Sequence, residues 1–397
     1  METVAKKIHR ILAEACVQTL ESILRDGMVA DRAVARALGT HPKWGARDRA
    51  FVAETVYEVV RWRRRLAHVA GAEDIQALAG MQWSLSGYPR PDWASWPEIP
   101  EQVREERSKS LETAPLAVRA SISDELDAFG RDQLGGGWEE ELAALNQPAP
   151  VFLRVNPSRC SLKALAAELA EQGLAVTEVA GAPLALRIED GRTVPARLKE
   201  SGRFEIQDAG SQQVASFVQA EPGQRIVDAC AGAGGKTLHL AALMNGKGDL
   251  HALDVQEAKL ASLQMRAARA GVKVRTACVS PEVLAKLKGT ADRVLVDAPC
   301  SGSGTLRRQP DLKYKITAGS VERAQEVQRE VLLKYSAMVR PGGKLIYATC
   351  SIFPGENERQ AAWFTDQNGF TLEEERRISP AASGWDGFYM ARWRKTP

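Results

Sequence analysis

Hydrophobic residues in the first part of the chain recur every three to four positions, which is the spacing of one helix face. The first such set is Ile8, Ile11, Leu12, Ala15, Leu20, Ile23 and Leu24. A second helix is predicted over residues 47–66, with Phe51, Thr55, Val59 and Trp62 on one face. The pattern therefore predicts a helical N-terminal domain over residues 1–100 and a helical linker region over residues 101–147.

Proline, glycine and tryptophan are concentrated between residues 78 and 100, which predicts a loop that connects domains. Its tryptophans are Trp83, Trp93 and Trp96. Indole rings in such a segment can stack on the bases of a nucleic acid. More often they pin a loop against a neighbouring domain, and we favour this second interpretation.

The hydrophobic pattern changes at Val151, where short apolar runs replace the helical spacing. Residues 148–205 predict a small α/β module with a strand in VFLRVNP, a helix and two further strands. Over residues 206–397, strand-like runs alternate with helical stretches, and this alternation is typical of a parallel, doubly wound sheet. The predicted fold class is α/β: a Rossmann-like doubly wound sheet, preceded by the small module and the helical domain.

Composition and charge leave the function open. The 397 residues are 44% hydrophobic and 26% charged, which is ordinary for a globular chain of two or three domains. A net charge of +3 is too small to indicate a nucleic-acid partner by itself. Two basic runs are more suggestive, one at Arg61 and residues 63–65 and one at Arg307 and Arg308, although such a run is as often a solvated face.

Six cysteines and five histidines limit the metal and disulfide chemistry. The cysteines form no CxxC pair, so their spacing predicts no metal site. They are too few for a disulfide scaffold in a chain of this length, and free thiols are typical of a reducing compartment. The N-terminus lacks the apolar run of a signal peptide, and no stretch has the length of a membrane span. These observations predict a cytoplasmic protein without a membrane or metal partner.

A glycine-rich turn follows the first predicted strand of the last domain, in the run RIVDACAGAGGKT. Gly232, Gly234 and Gly235 allow a sharp bend and the close approach of a ligand, and the following helix offers free N–H groups. A phosphate-binding P-loop would need a glycine at position 230, and the dinucleotide fingerprint would need one at position 237. Asp254 ends the next strand, where a carboxylate can accept the hydroxyls of a ribose. An adenosine-type ligand without a pyrophosphate fits best, and S-adenosylmethionine is the common one; the plain alternative is a tight turn without a ligand.

Two later strands end near cysteines. DRVLVDAPCSGSG places Asp297 and Cys300 at the carboxyl end of one strand, and KLIYATCSIFPGENE places Cys350 at the end of the next. Ligands of open α/β sheets bind beyond these strand ends, so we expect both thiols to face the glycine loop. Carbon 5 of cytosine attacks a methyl sulfonium only after a thiolate has added to carbon 6, which is covalent catalysis. Either cysteine alone is more often a buried small hydrophobe, and composition does not choose between the two thiols.

The motifs together resemble the RsmB-like (Sun/Fmu) family of RNA cytosine-C5 methyltransferases. The resemblance rests on DACAGAGGKT, LDVQEAKL, VDAPCSGSGTLRRQPDLKY, YATCSIFPGENE and GWDGFYMARW, and it covers about residues 145–397. It implies a class I, Rossmann-like methyltransferase domain over residues 206–397 that uses S-adenosylmethionine. The block WGARDRAFVAETVYEVVRW is weakly similar to the family's NusB-like RNA-binding extension.

The resemblance also implies roles for single residues. Cys350 would be the nucleophile, Cys300 would assist product release, and Asp297 would contact the cytosine ring edge and the cofactor region. The methionine part of the cofactor would lie on the loop of Cys230, Ala231, Gly232, Ala233, Gly234, Gly235 and Lys236. Lys236 would also contact the catalytic groups, and Asp254 would bind the ribose. Arg307, Arg308 and Lys313 would meet RNA phosphates, with loop-surface charge or salt bridging as the alternative.

The chain departs from the family pattern at three places. The usual Ala-Pro-Gly-Gly-Lys loop reads Gly-Ala-Gly-Gly-Lys, the region after the third strand has no acid before Glu282, and Gln309 replaces a histidine. The expected substrate is RNA, with small-subunit ribosomal RNA favoured and transfer RNA as an alternative, and the expected state is a monomer. Competing hypotheses are a protein or DNA methyltransferase, a non-enzymatic ribosome-assembly factor that binds RNA, and a nicotinamide-dependent oxidoreductase.

Overall fold

The computed structural model describes residues 7–189, 194–366 and 369–396. The chain divides into two compact units. The first unit comprises Met1–Gln147 and Leu306–Ala318, and the second comprises Pro148–Thr305 and Gly319–Pro397. Each unit has its own hydrophobic core, and each is described by itself below.

The first unit is built of helices. Their bounds are α1 (Arg10–Leu24), α2 (Ala30–Thr40), α3 (Ala46–Arg61), α4 (Arg63–Ala70), α5 (Ile75–Leu85), α6 (Glu101–Ser110), α7 (Leu116–Arg119), α8 (Asp124–Leu134) and α9 (Trp138–Leu145). Helices α1, α3 and α5 supply fully buried residues such as Leu20, Val56 and Leu78 to one core. The single helix predicted over residues 47–66 is interrupted at Trp62, whose φ of −113° and ψ of 23° leave the helical region.

The tryptophan-rich segment is only partly a loop. Helix α5 extends to Leu85, so Trp83 is helical, and the loop predicted from residue 78 begins later than expected. Trp83 is 2% exposed and Trp96 is 8% exposed, and their rings lie 5.1 Å apart. Trp96 packs on Gly80, where a Cβ atom would lie 2.3 Å from the indole ring. Trp83 and Trp96 therefore pack inside the helical unit itself, and these contacts do not attach a loop to a neighbouring domain.

The second unit begins with a small antiparallel sheet. Its elements are β1 (Val151–Val155), α10 (Leu162–Glu171), β2 (Val176–Glu178), β3 (Ala185–Ile188), α11 (Ala196–Lys199) and β4 (Phe204–Ile206). Within the described residues the strand order is β2-β3-β1-β4, and all pairs are antiparallel. Leu153 and Val155 of β1 pack with Leu165 and Leu169 of α10, which gives the module its own core.

A larger sheet occupies the rest of this unit. Its strands are β5 (Arg225–Asp228), β6 (Asp249–Asp254), β7 (Arg275–Cys278), β8 (Ala291–Asp297), β9 (Val339–Thr349), β10 (Phe370–Ile378) and β11 (Phe388–Lys395). Its helices are α12 (Ala209–Val218), α13 (Gly235–Leu243), α14 (Glu257–Ala270), α15 (Pro281–Leu287), α16 (Ala318–Ser336), α17 (Glu358–Thr365) and α18 (Pro380–Ser383). Among the described strands the order is β10-β11-β9-β8-β5-β6-β7.

Strands β5 to β9 are parallel, and β10 and β11 add an antiparallel edge. Hydrophobic cores lie on both faces, so the predicted α/β doubly wound class is confirmed. The chain leaves β5 toward β6 on one side and returns to β8 on the other. This reversal is the point at which open α/β sheets bind ligands, beyond the carboxyl ends of the strands. Across residues 7–189, 194–366 and 369–396, no helix is long and apolar enough to pass through a bilayer.

Candidate active site

The glycine loop joins β5 to α13 at the strand reversal. Gly232 has a φ of 54° and Gly234 a φ of 90°, which is the left-handed region that favours glycine. A Cβ atom on Gly234 would lie 2.5 Å from Cγ of Leu263, so the loop packs tightly against α14 there. A Cβ atom on Gly232 would meet no atom within 4 Å. The loop is therefore tight at Gly234 and open at Gly232, as a ligand cradle requires.

Asp254 lies beside this loop at the end of β6. It is 8% exposed, and its carboxylate accepts hydrogen bonds from the backbone N–H groups of Gly232 at 2.8 Å and Gln256 at 2.9 Å. A carboxylate has about four acceptor sites, so oxygen lone pairs are left for two hydroxyl groups. The acceptor oxygens of Asp254 fit the ribose of S-adenosylmethionine, and the open glycine loop fits its amino-acid part.

Two arginines bind carbonyl oxygens of the glycine loop. Arg266 of α14 donates to the carbonyl oxygen of Ala233 at 2.5 Å and to the carboxylate of Glu205 at 2.7 Å. Arg154 of β1 donates to the carbonyl oxygen of Gly235 at 2.5 Å. Burial is the main cause that lowers the pKa of Arg154, to about 10. Ala233 stands where the related loop has proline, and these bonds restrain the backbone that the proline would have stiffened.

Lys236 and Asp297 form an ion pair next to the loop. Lys236 Nζ lies 2.6 Å from Asp297 Oδ2, and the two side chains are 14% and 26% exposed. Burial lowers the pKa of Lys236, but the adjacent Asp297 carboxylate outweighs burial, so the pKa lies above its ordinary value. Lys236 therefore stays charged and holds the Asp297 carboxylate beside the glycine loop.

The two thiols meet where β8 and β9 end. The Sγ atoms of Cys300 and Cys350 are 3.3 Å apart, and both residues are half-buried. The hydrogen bond with Cys350 and burial together raise the pKa of Cys300 well above its usual value. The pKa of Cys230 is also raised, chiefly because the thiol is buried, and nearby aspartates raise it further. The structure thus brings together the two thiols that were expected to face one crevice.

Two buried carboxyl groups near the site were not singled out from the sequence. Asp228 ends β5, is 1% exposed, and accepts a hydrogen bond from Thr237 Oγ1 at 2.7 Å. Burial raises the pKa of Asp228 to about 7. Glu356 is fully buried and accepts hydrogen bonds from the residues that follow both cysteines. Asp228 is marked in the sequence by an acid inside a run of apolar and small residues, whereas Glu356 precedes a polar run and has no such sign.

The predicted RNA contacts lie in the first unit, and two of the three, Lys313 and Arg307, are buried there. Lys313 has no exposed surface, and its ammonium donates to the carbonyl oxygens of Arg61 at 3.0 Å and Ala120 at 3.3 Å and to Asn146 Oδ1. A buried lysine with three oxygen partners has no surface for a phosphate, so the role predicted for Lys313 is wrong. Arg307 is also buried, whereas Arg308 is partly exposed.

Metal chemistry has no structural sign in the part of the chain that the structure describes. No group of three or more His, Cys, Asp and Glu side chains there could hold a metal ion.

Comparisons with known proteins point to one family. A family model described as 16S rRNA methyltransferase RsmB/F matches residues 215–394, and one described as an RsmF/B-like ferredoxin-like domain matches residues 130–195. A Synechocystis sp. protein named probable ribosomal RNA small subunit methyltransferase B is 32% identical over 320 residues, which cover 74% of this chain and 72% of the relative.

A second relative has the same name, and one solved structure is similar in fold. Ribosomal RNA small subunit methyltransferase B of Pasteurella multocida is 34% identical over 279 residues, 65% of this chain and 62% of the relative. The crystal structure of PH0851 has a TM-score of 0.81 and 23% identity, and the match covers 98% of this chain and 100% of that one. The solved structure therefore has the same fold.

Proposed function

Because this chain belongs to the RsmB/F family of methyltransferases, we propose that it transfers a methyl group from S-adenosylmethionine to carbon 5 of a cytosine in small-subunit ribosomal RNA. The observation that carries the proposal is the pair of thiols at 3.3 Å, at the same strand ends as the ion pair of Lys236 with Asp297. Amine or oxygen methylation needs no thiol nucleophile, whereas carbon 5 of a pyrimidine does.

The loop from Cys230 to Lys236 and Asp254 would hold the cofactor. The N-terminal turn of α13 offers backbone N–H groups to a carboxylate, and Asp254 retains acceptor capacity for ribose hydroxyls. When bound, S-adenosylmethionine supplies an electrophilic methyl group. Arg154 and Arg266 keep the loop carbonyls in place, so the loop is ordered before the cofactor arrives.

The chain's own groups would carry out the remaining chemistry. Cys350 adds as a thiolate to carbon 6 of cytosine, and carbon 5 then becomes an enamine-type nucleophile. As the thiolate adds, the ring nitrogen takes up the proton that balances the charge, and the Asp297 carboxylate, held by Lys236, accepts a hydrogen bond from that N–H. The nitrogen gives this proton up again when the Cys350 thiolate leaves. After methylation a base removes the proton from carbon 5, and the Cys350 thiolate leaves. Cys300, with its raised pKa, is largely a thiol at neutral pH and assists this release.

The target base must leave its stack to reach the two thiols, as in other enzymes that act on a base. Of the three basic residues predicted to bind RNA, Arg308 keeps exposed surface, and we retain it as an RNA contact. The helical first unit supplies further surface, and its role as an RNA-binding extension is part of the same proposal.

A label-transfer experiment tests the reaction and the nucleophile together. Tritiated S-adenosylmethionine is incubated with unmodified 16S rRNA, with transfer RNA and with small-subunit proteins, and the labelled nucleoside is identified after digestion. Wild type should label 5-methylcytosine in 16S rRNA, and Cys350→Ala should not. Cys300→Ala should accumulate a covalent protein–RNA adduct. Cys278→Ala is the matched control, because that thiol is exposed and lies at the end of β7, away from the pair.

Each other outcome redirects the proposal. Label in transfer RNA alone would change the substrate, and label in protein would exclude the pyrimidine chemistry. Full activity of Cys350→Ala with loss of activity in Cys300→Ala would exchange the two thiol roles. RNA binding without any label would favour a non-enzymatic assembly factor.

A further inference from the structure

One carboxylate links the two loops that carry the thiols. Glu356 is fully buried, and its Oε2 accepts hydrogen bonds from the hydroxyl groups of Ser301 and Ser351, each at 2.5 Å. Ser301 directly follows Cys300, and Ser351 directly follows Cys350. The carboxylate therefore joins the two catalytic loops through one oxygen atom.

The other oxygen of Glu356 fixes the loop after β8. Its Oε1 accepts from the backbone N–H of Ser301 at 2.8 Å and from Nε2 of Gln328 at 3.0 Å. Gln328, on α16, also donates to the carbonyl oxygen of Pro299 at 3.1 Å. Cys300 is thus held at the residue before it and at the residue after it.

The loop after β9 is held in the same manner. Asn357 donates from Nδ2 to the carbonyl oxygen of Ser351 at 2.9 Å, and its Oδ1 accepts from Thr349 Oγ1 at 2.5 Å. Tyr347 donates from its hydroxyl group to the carbonyl oxygen of Glu356 at 2.7 Å. Cys350 therefore lies between two residues, Thr349 and Ser351, that Asn357 binds directly.

These contacts give Glu356 a role beyond packing. A buried carboxylate is tolerated when donors satisfy it, and four donors in fixed positions leave its side chain little freedom. We propose that Glu356 is a positioning residue for both thiols, which sets the separation and direction of Cys300 and Cys350 during methyl transfer. This inference rests on the proposed function for its catalytic consequence, but the geometry it describes is independent of the substrate.

The charge of Glu356 provides a measurement that a packing role would not affect. The hydrogen bond with Cys350 and burial are the largest causes that raise the pKa of Cys300, and the Glu356 carboxylate raises it further. Glu356→Gln keeps the shape and the acceptor at Oε1, and its amide can donate to the two serine hydroxyls in place of accepting from them. The variant therefore removes the charge and largely preserves the links.

The experiment measures thiol reactivity and turnover on the full chain. Alkylation of each cysteine is followed against pH by peptide mass, with exposed Cys278 as the internal reference. Glu356→Gln should lower the midpoint of Cys300 alkylation by about one pH unit and keep kcat within about tenfold of wild type. Glu356→Ala should lower kcat by about 100-fold with KM for RNA nearly unchanged, because misplaced reacting groups mainly reduce turnover.

Two further variants keep the test decisive if Glu356→Ala does not fold. Gln328→Met removes the link to Pro299 and one donor to Glu356, and it should lower kcat by about tenfold. Glu326→Gln makes the same chemical change as Glu356→Gln at an exposed site on α16. Its kcat and its midpoint of Cys300 alkylation should equal those of wild type.

Three outcomes would oppose the proposals in different ways. Wild-type kcat and Cys300 midpoint in both Glu356→Gln and Gln328→Met would overturn the positioning role. Reduced thermal stability with an unchanged Cys300 midpoint would assign Glu356 to stability alone and also overturn it. Wild type that methylates no RNA would refute the proposed function, while the alkylation profiles would still decide the position of the thiols.

Discussion

Replacing Asp228 by asparagine should change how the stability of the second unit depends on pH. Asp228 is buried at the end of β5, and its carboxyl group accepts a hydrogen bond from Thr237 in the first turn of α13. Burial raises its pKa from 3.8 to about 7. The folded protein therefore retains a proton that the unfolded chain releases at lower pH.

The sign and size follow from proton linkage. Between pH 3.8 and about 7 the unfolded state binds one proton fewer at this residue than the folded state. The free energy of unfolding then falls by about 1.4 kcal/mol per pH unit as the pH rises. This contribution is complete below pH 3.8, and its loss through pH 7 amounts to about 4 kcal/mol. Above that range both states are ionised, and the contribution stays constant.

Asp228→Asn cannot ionise, so its free energy of unfolding should lack this decline. Urea unfolding of both proteins, followed by circular dichroism at pH values from about 5 to about 8.5, measures the difference. The difference, variant minus wild type, should increase up to pH 7 and then level off. Thr237→Val removes a hydrogen bond that lowers the pKa of Asp228. The free energy of unfolding of this variant should therefore continue to fall to a higher pH than that of wild type. Parallel curves for wild type and Asp228→Asn would refute the reasoning.

Three further substitutions test other parts of the structure. Asp254→Ala removes the acceptor for the Gly232 N–H and for the proposed ribose, so calorimetry should give a cofactor Kd that is about 10- to 100-fold higher; an unchanged Kd would exclude the ribose contact. Gly234→Ala places a Cβ atom 2.5 Å from Leu263 at a φ of 90°, and it should lower unfolding stability by about 1–3 kcal/mol. A melting temperature equal to that of wild type would contradict this packing. Lys313→Met leaves buried oxygen atoms without a donor and should cost about 2–4 kcal/mol of stability, while filter binding of RNA by the folded variant stays near wild type; a specific loss of RNA affinity would restore the phosphate contact.

The positions of the two thiols and of Asp297 could be predicted because they depend on local pattern and on one topological rule. Alternating strands and helices predict parallel β5 to β9, and parallel strands bring their carboxyl ends to one edge. Cys300 and Cys350 lie 50 residues apart in the chain and still meet at that edge. Their catalytic roles stay predictions, because position alone does not assign them.

Other features depend on contacts that leave no local pattern. Arg154 reaches the glycine loop across 81 residues, and Glu356 reaches Ser301 across 55 residues, with no spacing that marks either pair. The predicted phosphate contact of Lys313 requires an exposed ammonium group, and lysines are mostly exposed. In the structure, oxygen atoms from three separate segments surround its ammonium. Side-chain burial of this kind is decided by tertiary packing.

Residues that precede the large sheet restrain the glycine loop. This limits where the chain can be cut to make a truncated protein or a chimera. Arg154 and Glu205 lie before residue 206, as does Asn156, which donates to the carbonyl oxygen of Ala270 at 3.2 Å. A fragment that starts at residue 206 would retain the strands of the large sheet and lose these three side chains. The large sheet therefore cannot be moved into another protein by itself. A chimera or a truncated protein must include the chain from Pro148 onward to keep the glycine loop ordered.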